Sequence, residues 1–250
     1  MAKIAIVGMG VVGKSVYKEM ESLDHDIIGH DIKYENLEYG LWFYDFTFLC
    51  LPTPTKMDDL QDVSSLKEWL NLLNKLEYQK NIIIKSTILP NIARDLLQAF
   101  PNLKITFSPE FLSSHNPYNY EFPIILGSDR VEWQVEVAGL FNNERVFQFV
   151  TPEEACFIKY FHNCLGSAKV ALFSHFFEQS QKCGFNYYKA IKALEEIGHE
   201  DKDYWQPFRD GKLGFGGSCF IKDTAAWNGA YKSEIFKGIL KENERWRNGK

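Results

Sequence analysis

Cys219 stands behind three glycines and ahead of a cation and a carboxylate, in the run Gly214-Phe215-Gly216-Gly217-Ser218-Cys219-Phe220-Ile221-Lys222-Asp223. Glycines let a backbone approach a ligand closely and expose its N–H groups. A thiol at the start of a following helix gains thiolate character from the helix dipole and from Lys222. Asp223, one turn further on, can orient a water or a side chain. For an isolated cysteine, a glycine loop around a buried structural thiol is the commoner reading.

A second run, Gly8-Met9-Gly10-Val11-Val12-Gly13, follows an apolar stretch and opens a helical one. Its glycines suit a tight turn, the close approach of a pyrophosphate and close helix–strand packing, with the anion on the helix N-terminus. Asp31 closes the next strand about twenty residues on, where a carboxylate accepts hydrogen bonds from ribose hydroxyls and repels a 2′-phosphate. The expected cofactor is therefore NAD, although nearby Lys33 keeps NADP open. The turn Cys50-Leu51-Pro52-Thr53-Pro54-Thr55 follows a strand and borders the cofactor crevice of an open α/β sheet. Pro52 and Pro54 stiffen it and Thr53 and Thr55 supply hydroxyls; alone it reads as a stiff loop.

Elements must hold these groups in place. Short β-like runs at Ile4–Val7, His25–His30, Phe46–Leu51, Ile82–Lys85, Lys104–Phe107 and Ile124–Leu126 alternate with helical patterns at Lys14–Leu23, Val63–Leu76 and Ile92–Phe100. That order predicts parallel βαβ units, an α/β fold with a Rossmann-like parallel sheet. Thr151-Pro152-Glu153-Glu154 is a helix start, with a hydroxyl cap, proline in the first turn and then acids. Apolar residues at three-and-four spacing carry that helix to Gly184, interrupted only by Gly166. A helical domain with this long central helix follows, with a further helix over Tyr187–Ile197, an irregular stretch to Gly217 and a helical pattern from Thr224. The charged end, Lys241–Lys250, is expected to fray. The expected domains are 1–150, binding NAD, and 151–250, catalytic and dimer-forming. The wide apolar face of the long helix points to a homodimer.

Composition narrows the partners. The 250 residues carry a net charge of −5 and are 45% hydrophobic. That is enough for a core, and too acidic for nucleic acid or an anionic membrane as main partner. No apolar run is long enough to cross a bilayer, and the N-terminus carries no signal peptide, so a cytoplasmic protein is expected. The five cysteines show neither zinc-ligand pairs nor a disulfide framework, and no metal is expected.

Several of these runs together resemble the UDP-glucose/GDP-mannose dehydrogenase family. They are GMGVVG at 8–13, CLPTPT at 50–55, KST at 85–87, PEFL at 109–112, KYFHN at 159–163 and GFGGSCF-x-KD at 214–223, in the family's order. The resemblance implies an NAD-dependent two-step oxidation of a sugar nucleotide at carbon 6, alcohol to aldehyde to acid. UDP-glucose and UDP-glucuronate are the expected substrate and product. It implies that Cys219 forms a thiohemiacetal and then a thioester. Lys159 and Asn163, four residues apart on one helix face, would hold the developing oxyanion. Thr87 would hold a water, Glu110 would be the hydrolytic base, and Asp223 would position them. Lys222 is expected to touch cofactor or substrate, and Phe111, Leu112, Phe215 and Gly216 to line the substrate.

The chain also departs from the family pattern. Ser113-Ser114-His115 replaces an acidic residue and a glycine, so a second carboxylate is missing. Ile221 stands for a proline, and Ile88-Leu89-Pro90-Asn91 replaces a proline–glycine turn. The further nucleotide-binding-like domain of typical members does not follow Asp223. A dimer partner, weak nucleotide binding or a smaller alcohol would each accommodate that. Lys202, Arg209 and Lys212 are candidate phosphate contacts or merely solvated charges. Two other functions stay open: a single-step β-hydroxyacid-type dehydrogenase, which needs no cysteine, and a non-catalytic NAD-binding regulatory protein.

Overall fold

The structure is a computed structural model that describes residues 1–31, 40, 43–56, 60–112, 122–142, 144–198 and 204–249. The elements run β1 (Lys3–Val7), α1 (Val11–Glu21), β2 (Asp26–His30), β3 (Phe46–Leu49), α2 (Ser64–Lys75), β4 (Asn81–Ile84), α3 (Pro90–Ala99), β5 (Lys104–Phe107), β6 (Ile124–Gly127), α4 (Val131–Ala138) and β7 (Phe147–Val150). Then come α5 (Pro152–Cys183), α6 (Tyr187–Glu196), β8 (Phe208–Arg209), β9 (Lys212–Leu213), α7 (Ser218–Tyr231) and α8 (Glu234–Asn248). Contacts divide the chain into two units: Met1–Pro54 with Gln61–Lys159, and Thr55–Leu60 with Tyr160–Lys250.

In the first unit, seven strands among the described residues form one sheet in the order β2-β1-β3-β4-β5-β6-β7. The pairs from β2 to β5 are parallel, as the alternation of short strands and helices requires. Side chains alternate between its faces. Ala5, Val7, Ile82 and Ile84 pack with Leu66 and Leu70 of α2 and Leu96 of α3. Ile4, Ile6 and Ile83 pack on the opposite face with Val16 and Met20 of α1 and Val137 of α4. Strands buried on both faces read as unbroken apolar runs, which is why Ile82–Ile84 was legible as a strand.

Several features differ from the sequence reading. β6 pairs with β5 antiparallel, through Phe107 and Gly127, so β6, α4 and β7 form a second parallel unit turned against the first five strands. β7 and α4 were not foreseen. β7 is an edge strand whose Phe149 is exposed, and α4 exposes Val131 and Val135, so neither shows a clear polar–apolar period. In addition, α1 starts at Val11, earlier than Lys14, because Gly13 belongs to the helix.

In the second unit, α5 meets α7 between Tyr160 and Ser167, through Tyr160–Trp227, Asn163–Asp223 and Ser167–Thr224. The α5 helix is 32 residues long, about 48 Å at 1.5 Å per residue. Its start is a reciprocal cap, the Thr151 N–H donating to Glu154 Oε2 at 2.8 Å and the Glu154 N–H to Thr151 Oγ1 at 3.3 Å. The apolar centre is Val170, Ala171 and Phe215, with Phe220, Leu240 and Trp246 against it. The charged end does not fray as the sequence suggested. α8 runs to Asn248, Asn243 is buried, and Arg245 grips Glu178 of α5 with two hydrogen bonds of 2.8 Å. Charge run and buried face share one helix, which composition alone does not separate.

Candidate active site

Four candidate segments of the first unit leave the C-terminal ends of parallel strands, where open α/β sheets bind ligands. Gly8–Gly13 follows β1, Cys50–Thr53 follows β3, Lys85–Thr87 follows β4 and Ser108–Leu112 follows β5. Gly8 takes φ +92°, and a side chain there would strike the Cys50 carbonyl. Its N–H donates to the His30 carbonyl at 2.8 Å, tying the turn to the end of β2 and so to Asp31. Gly10 begins α1 without a side-chain cap. A Cβ at Gly10 would meet nothing within 4 Å, so Val11 and Val12 offer first-turn N–H groups beside open space.

The turn after β4 is clamped from below. Ser86 Oγ donates to the Leu51 carbonyl at 2.8 Å and accepts the Leu51 N–H at 3.0 Å. The Thr53 hydroxyl donates to the Thr87 carbonyl at 2.6 Å, and the Gln61 amide donates to the same oxygen at 2.8 Å. The Thr53 proton is thus committed to holding Thr87 in place. Pro52, the residue before it, is exposed.

Ile84 of β4 lies opposite Phe107 of β5, and the Ser108 N–H donates to the Ile84 carbonyl at 2.9 Å. Lys85 and the PEFL segment therefore emerge side by side. Lys85 Nζ lies 3.0 Å from Glu110 Oε2, and Glu110 Oε1 accepts the Phe111 N–H at 3.1 Å. Lys159 Nζ lies 5.0 Å from the centre of the Phe111 ring, a cation–π contact. Burial pushes the Glu110 carboxyl up, but the Lys85 charge and hydrogen bond, the Phe111 N–H and the Lys159 charge together hold it below the usual carboxylate range. Phe111 and Leu112 are half-buried.

In the second unit the decisive group is a buried polar pair. Asn163 of α5 donates to Asp223 Oδ2 of α7 at 2.6 Å. One turn along, Thr224 donates to Ser167 at 2.8 Å. Asn163, Ser167, Asp223 and Thr224 are all buried. Lys222, expected to meet a ligand, pairs with the other Asp223 oxygen, and its carbonyl accepts the Thr55 hydroxyl at 2.8 Å. Cys219 is exposed in the first turn of α7. Cys156 and Cys164 are buried and Cys50 half-buried. Burial pushes the thiols of Cys50 and Cys164 up to about 12, the Asp223 charge adding to it at Cys164, and raises Cys156 further.

Two of the glycines before Cys219 also have a packing role. Gly214 takes φ +91°, and a Cβ there would sit 2.3 Å from Asn243 Oδ1, the atom that accepts the Phe215 N–H at 2.8 Å. A Cβ at Gly216 would strike Asp210, and Arg247 next. The loop is thus shaped by α8 and by the β8–β9 turn. Phe215, assigned to substrate, is wholly buried in the unit's core, so only its backbone remains for a ligand. Lys212 Nζ donates to the Arg247 carbonyl and Arg209 offers its carbonyl to Arg247, so both serve the loop. Lys33, Lys202 and Ser113-Ser114-His115 lie outside the described residues. Sequence reasoning gave no role to Lys85, Gln61 or Asn243. Lys85 closes a candidate strand and opens the KST run, which were its signals; the other two act on backbone groups and leave none.

Residues 153–245 match the central domain of the UDP-glucose/GDP-mannose dehydrogenase family. Over those residues the chain is similar to that family. UDP-glucose 6-dehydrogenase of Campylobacter jejuni is 27% identical over 217 residues, covering 81% of this chain and 54% of the relative. The chain thus spans about half the length of that dehydrogenase. The UDP-glucose dehydrogenase structure from Pyrobaculum islandicum superposes with a TM-score of 0.82 at 21% identity, covering 98% of this chain and 68% of that one. The 3-hydroxyisobutyrate dehydrogenase of Mycobacterium tuberculosis gives a TM-score of 0.76 at 12% identity, covering 96% and 92%. Both likenesses are of fold. Among the described residues no helix is long and apolar enough to cross a membrane.

Proposed function

We propose that the chain carries the catalytic part of an NAD-dependent dehydrogenase that oxidises the carbon-6 alcohol of a sugar nucleotide to a carboxylate, with UDP-glucose as substrate and UDP-glucuronate as product. The observation that carries this reading is Cys219: an exposed thiol in the first turn of α7, one turn from the buried Asp223–Asn163 pair. The cofactor residues fit NAD. Gly8, Gly10, Val11, Val12 and Gly13 would hold its pyrophosphate, Asp31 its ribose hydroxyls, and Pro52, Thr53 and Thr55 would border it. When bound, NAD accepts the hydride in each of the two oxidations.

The chain's own groups do the rest. Lys159, by charge, and the second amide hydrogen of Asn163 hold the oxygen as it becomes anionic. Cys219 sulfur bonds to the aldehyde carbon, and oxidation of that adduct leaves a thioester. Thr87 holds the attacking water and Glu110 takes its proton; the carbon–sulfur bond breaks and the thiolate is returned. Asp223 positions Asn163. Lys222 balances the Asp223 charge, with a cofactor or substrate contact as its further role. Phe111, Leu112 and the backbone at Phe215 and Gly216 line the substrate.

Support for a second copy as partner comes from α5, whose Phe161, Leu165, Leu172 and Phe176 are exposed at helical spacing. Such a face favours burial in a dimer. Light scattering of the purified chain should give twice the chain mass.

Mixing protein, NAD and UDP-glucose should yield two NADH per UDP-glucuronate, and Cys219→Ser should release no acid. Likeness of fold to a hydroxyacid dehydrogenase supports the rival one-step reading. One NADH per turnover, unaffected by Cys219→Ser, would establish it. No NADH from any sugar nucleotide would favour a non-catalytic binding role.

A further inference from the structure

Lys85 carries a cation into the interior: it is buried at 7% exposure, at the point where β4 ends. An ammonium removed from water needs an opposite charge and hydrogen-bond acceptors. It has Glu110 Oε2 at 3.0 Å and Ser108 Oγ at 3.4 Å. The strand register makes this meeting obligatory, since Lys85 and Ser108 each follow the paired residues Ile84 and Phe107. The other Glu110 oxygen is held by the Phe111 N–H. Both carboxylate oxygens are therefore fixed, one by a side chain and one by the backbone.

We infer that Lys85 is the positioning residue of Glu110, clamping its carboxylate in one orientation and matching its charge so that it stands as an anion before water is activated. The inference rests on Glu110 being the hydrolytic base. The surrounding charges are accounted for. From α5, Lys159 acts in the same sense as Lys85. From α1, Glu19 faces the pair and opposes it, and is itself joined to Arg145 at 3.7 Å. From the end of β3, Cys50 lies in the field of both Lys85 and Glu110, as a thiol that burial keeps protonated. Glu19, Lys85, Glu110, Phe111, Phe122 and Arg145 line one small cavity. Of the two cations acting on Glu110, Lys85 exerts the larger effect.

The arrangement has a chemical consequence. A carboxylate paired in this way is a weaker base but is ionised in nearly every molecule at neutral pH. Protonating it breaks the pair with Lys85, so the proton taken from water is passed on rather than kept. Without Lys85 the same burial raises the carboxyl, and the base is protonated in a pH range where it was anionic.

The test uses the full chain with carbon-13-labelled glutamate carboxyls, the Glu110 signal being assigned by its loss in Glu110→Gln. In the unaltered chain the Glu110 signal should titrate below the ordinary carboxylate range. In Lys85→Met it should titrate at least one pH unit higher. The acid limb of UDP-glucuronate formation should rise with it, a loss of about tenfold in rate on that limb, while KM for UDP-glucose changes little. Lys85→Arg should restore both. An unchanged titration in Lys85→Met overturns the inference. If that variant does not fold, the unaltered chain decides, and an ordinary titration there overturns it too. If the unaltered chain makes no acid, Glu110 is not a hydrolytic base, yet the carbon-13 titration still reports whether Lys85 holds it.

Discussion

Asn163 donates to Asp223 Oδ2 at 2.6 Å, with Asp223 only 1% exposed. The pair joins the helix that carries Lys159 and Asn163 to the helix that carries Cys219. It converts two residues 60 positions apart into one buried unit. Removing either partner leaves a buried polar group unsatisfied. Asn163→Leu should therefore destabilise the chain by about 1–3 kcal/mol, measured by urea unfolding, and should abolish NADH formation at any substrate concentration.

Thiol reactivity separates the cysteines. With iodoacetamide under native conditions, Cys219 and Cys183 should be alkylated, because both are exposed. Cys156 and Cys164 should be protected until the chain unfolds, and half-buried Cys50 should react slowly, since burial raises its thiol to about 12. Peptide mass spectrometry reads the order. Cys219→Ser itself should shift stability by less than about 0.5 kcal/mol, as expected for an exposed position.

The loop before Cys219 depends on Asn243. Asn243→Ala should cost about 1–3 kcal/mol by leaving the buried Phe215 N–H unpaired. It should also slow acid formation without weakening NAD binding, measured by calorimetry. Gly214→Ala should be worse, since φ +91° disfavours alanine and its methyl would meet Asn243 Oδ1. The two changes should be non-additive, because the smaller residue at 243 relieves one of the two faults of the alanine at 214.

Acid should loosen α8. The Glu178 carboxyl is held at about 2 by its hydrogen bonds to Arg245. A carboxyl lowered on folding contributes stability that is complete above its unfolded value and is lost as pH falls through the folded one. The window is therefore from about 4.3 down to about 2. Since Arg245 is 40% exposed, water and salt discount the contribution to about 1 kcal/mol or less. Glu178→Gln should remove it and flatten the acid dependence, read by thermal unfolding at stepped pH.

Legibility followed the kind of force involved. Ile4–Val7 and Ile82–Ile84 were readable because strands buried on both faces leave an unbroken apolar run, and α5 because its cap and its three-and-four spacing agree. The β5–β6 reversal was not readable, since a strand's own pattern carries no direction. Cys219, Lys159, Asn163 and Asp223 were legible as motif letters, but the helical pattern was read only from Thr224, whereas α7 begins at Ser218. The Asn163–Asp223 and Lys85–Glu110 pairs were not legible, because each depends on the register between two distant elements. Gly166 had no visible reason until α7 was in place: a Cβ there would meet the Phe220 ring at 2.6 Å.

The grouping of Thr55–Leu60 with the later half of the chain bears on how the protein can be taken apart. The chain leaves the sheet unit after Pro54, returns at Gln61, and leaves it again after Lys159. Thr55 supplies a hydroxyl proton to the Lys222 carbonyl, in the helix that bears Cys219. A gene fragment beginning at Tyr160 would express that helical unit without one of its own pieces. Joining residues 55–60 to it through a designed linker is the more faithful dissection.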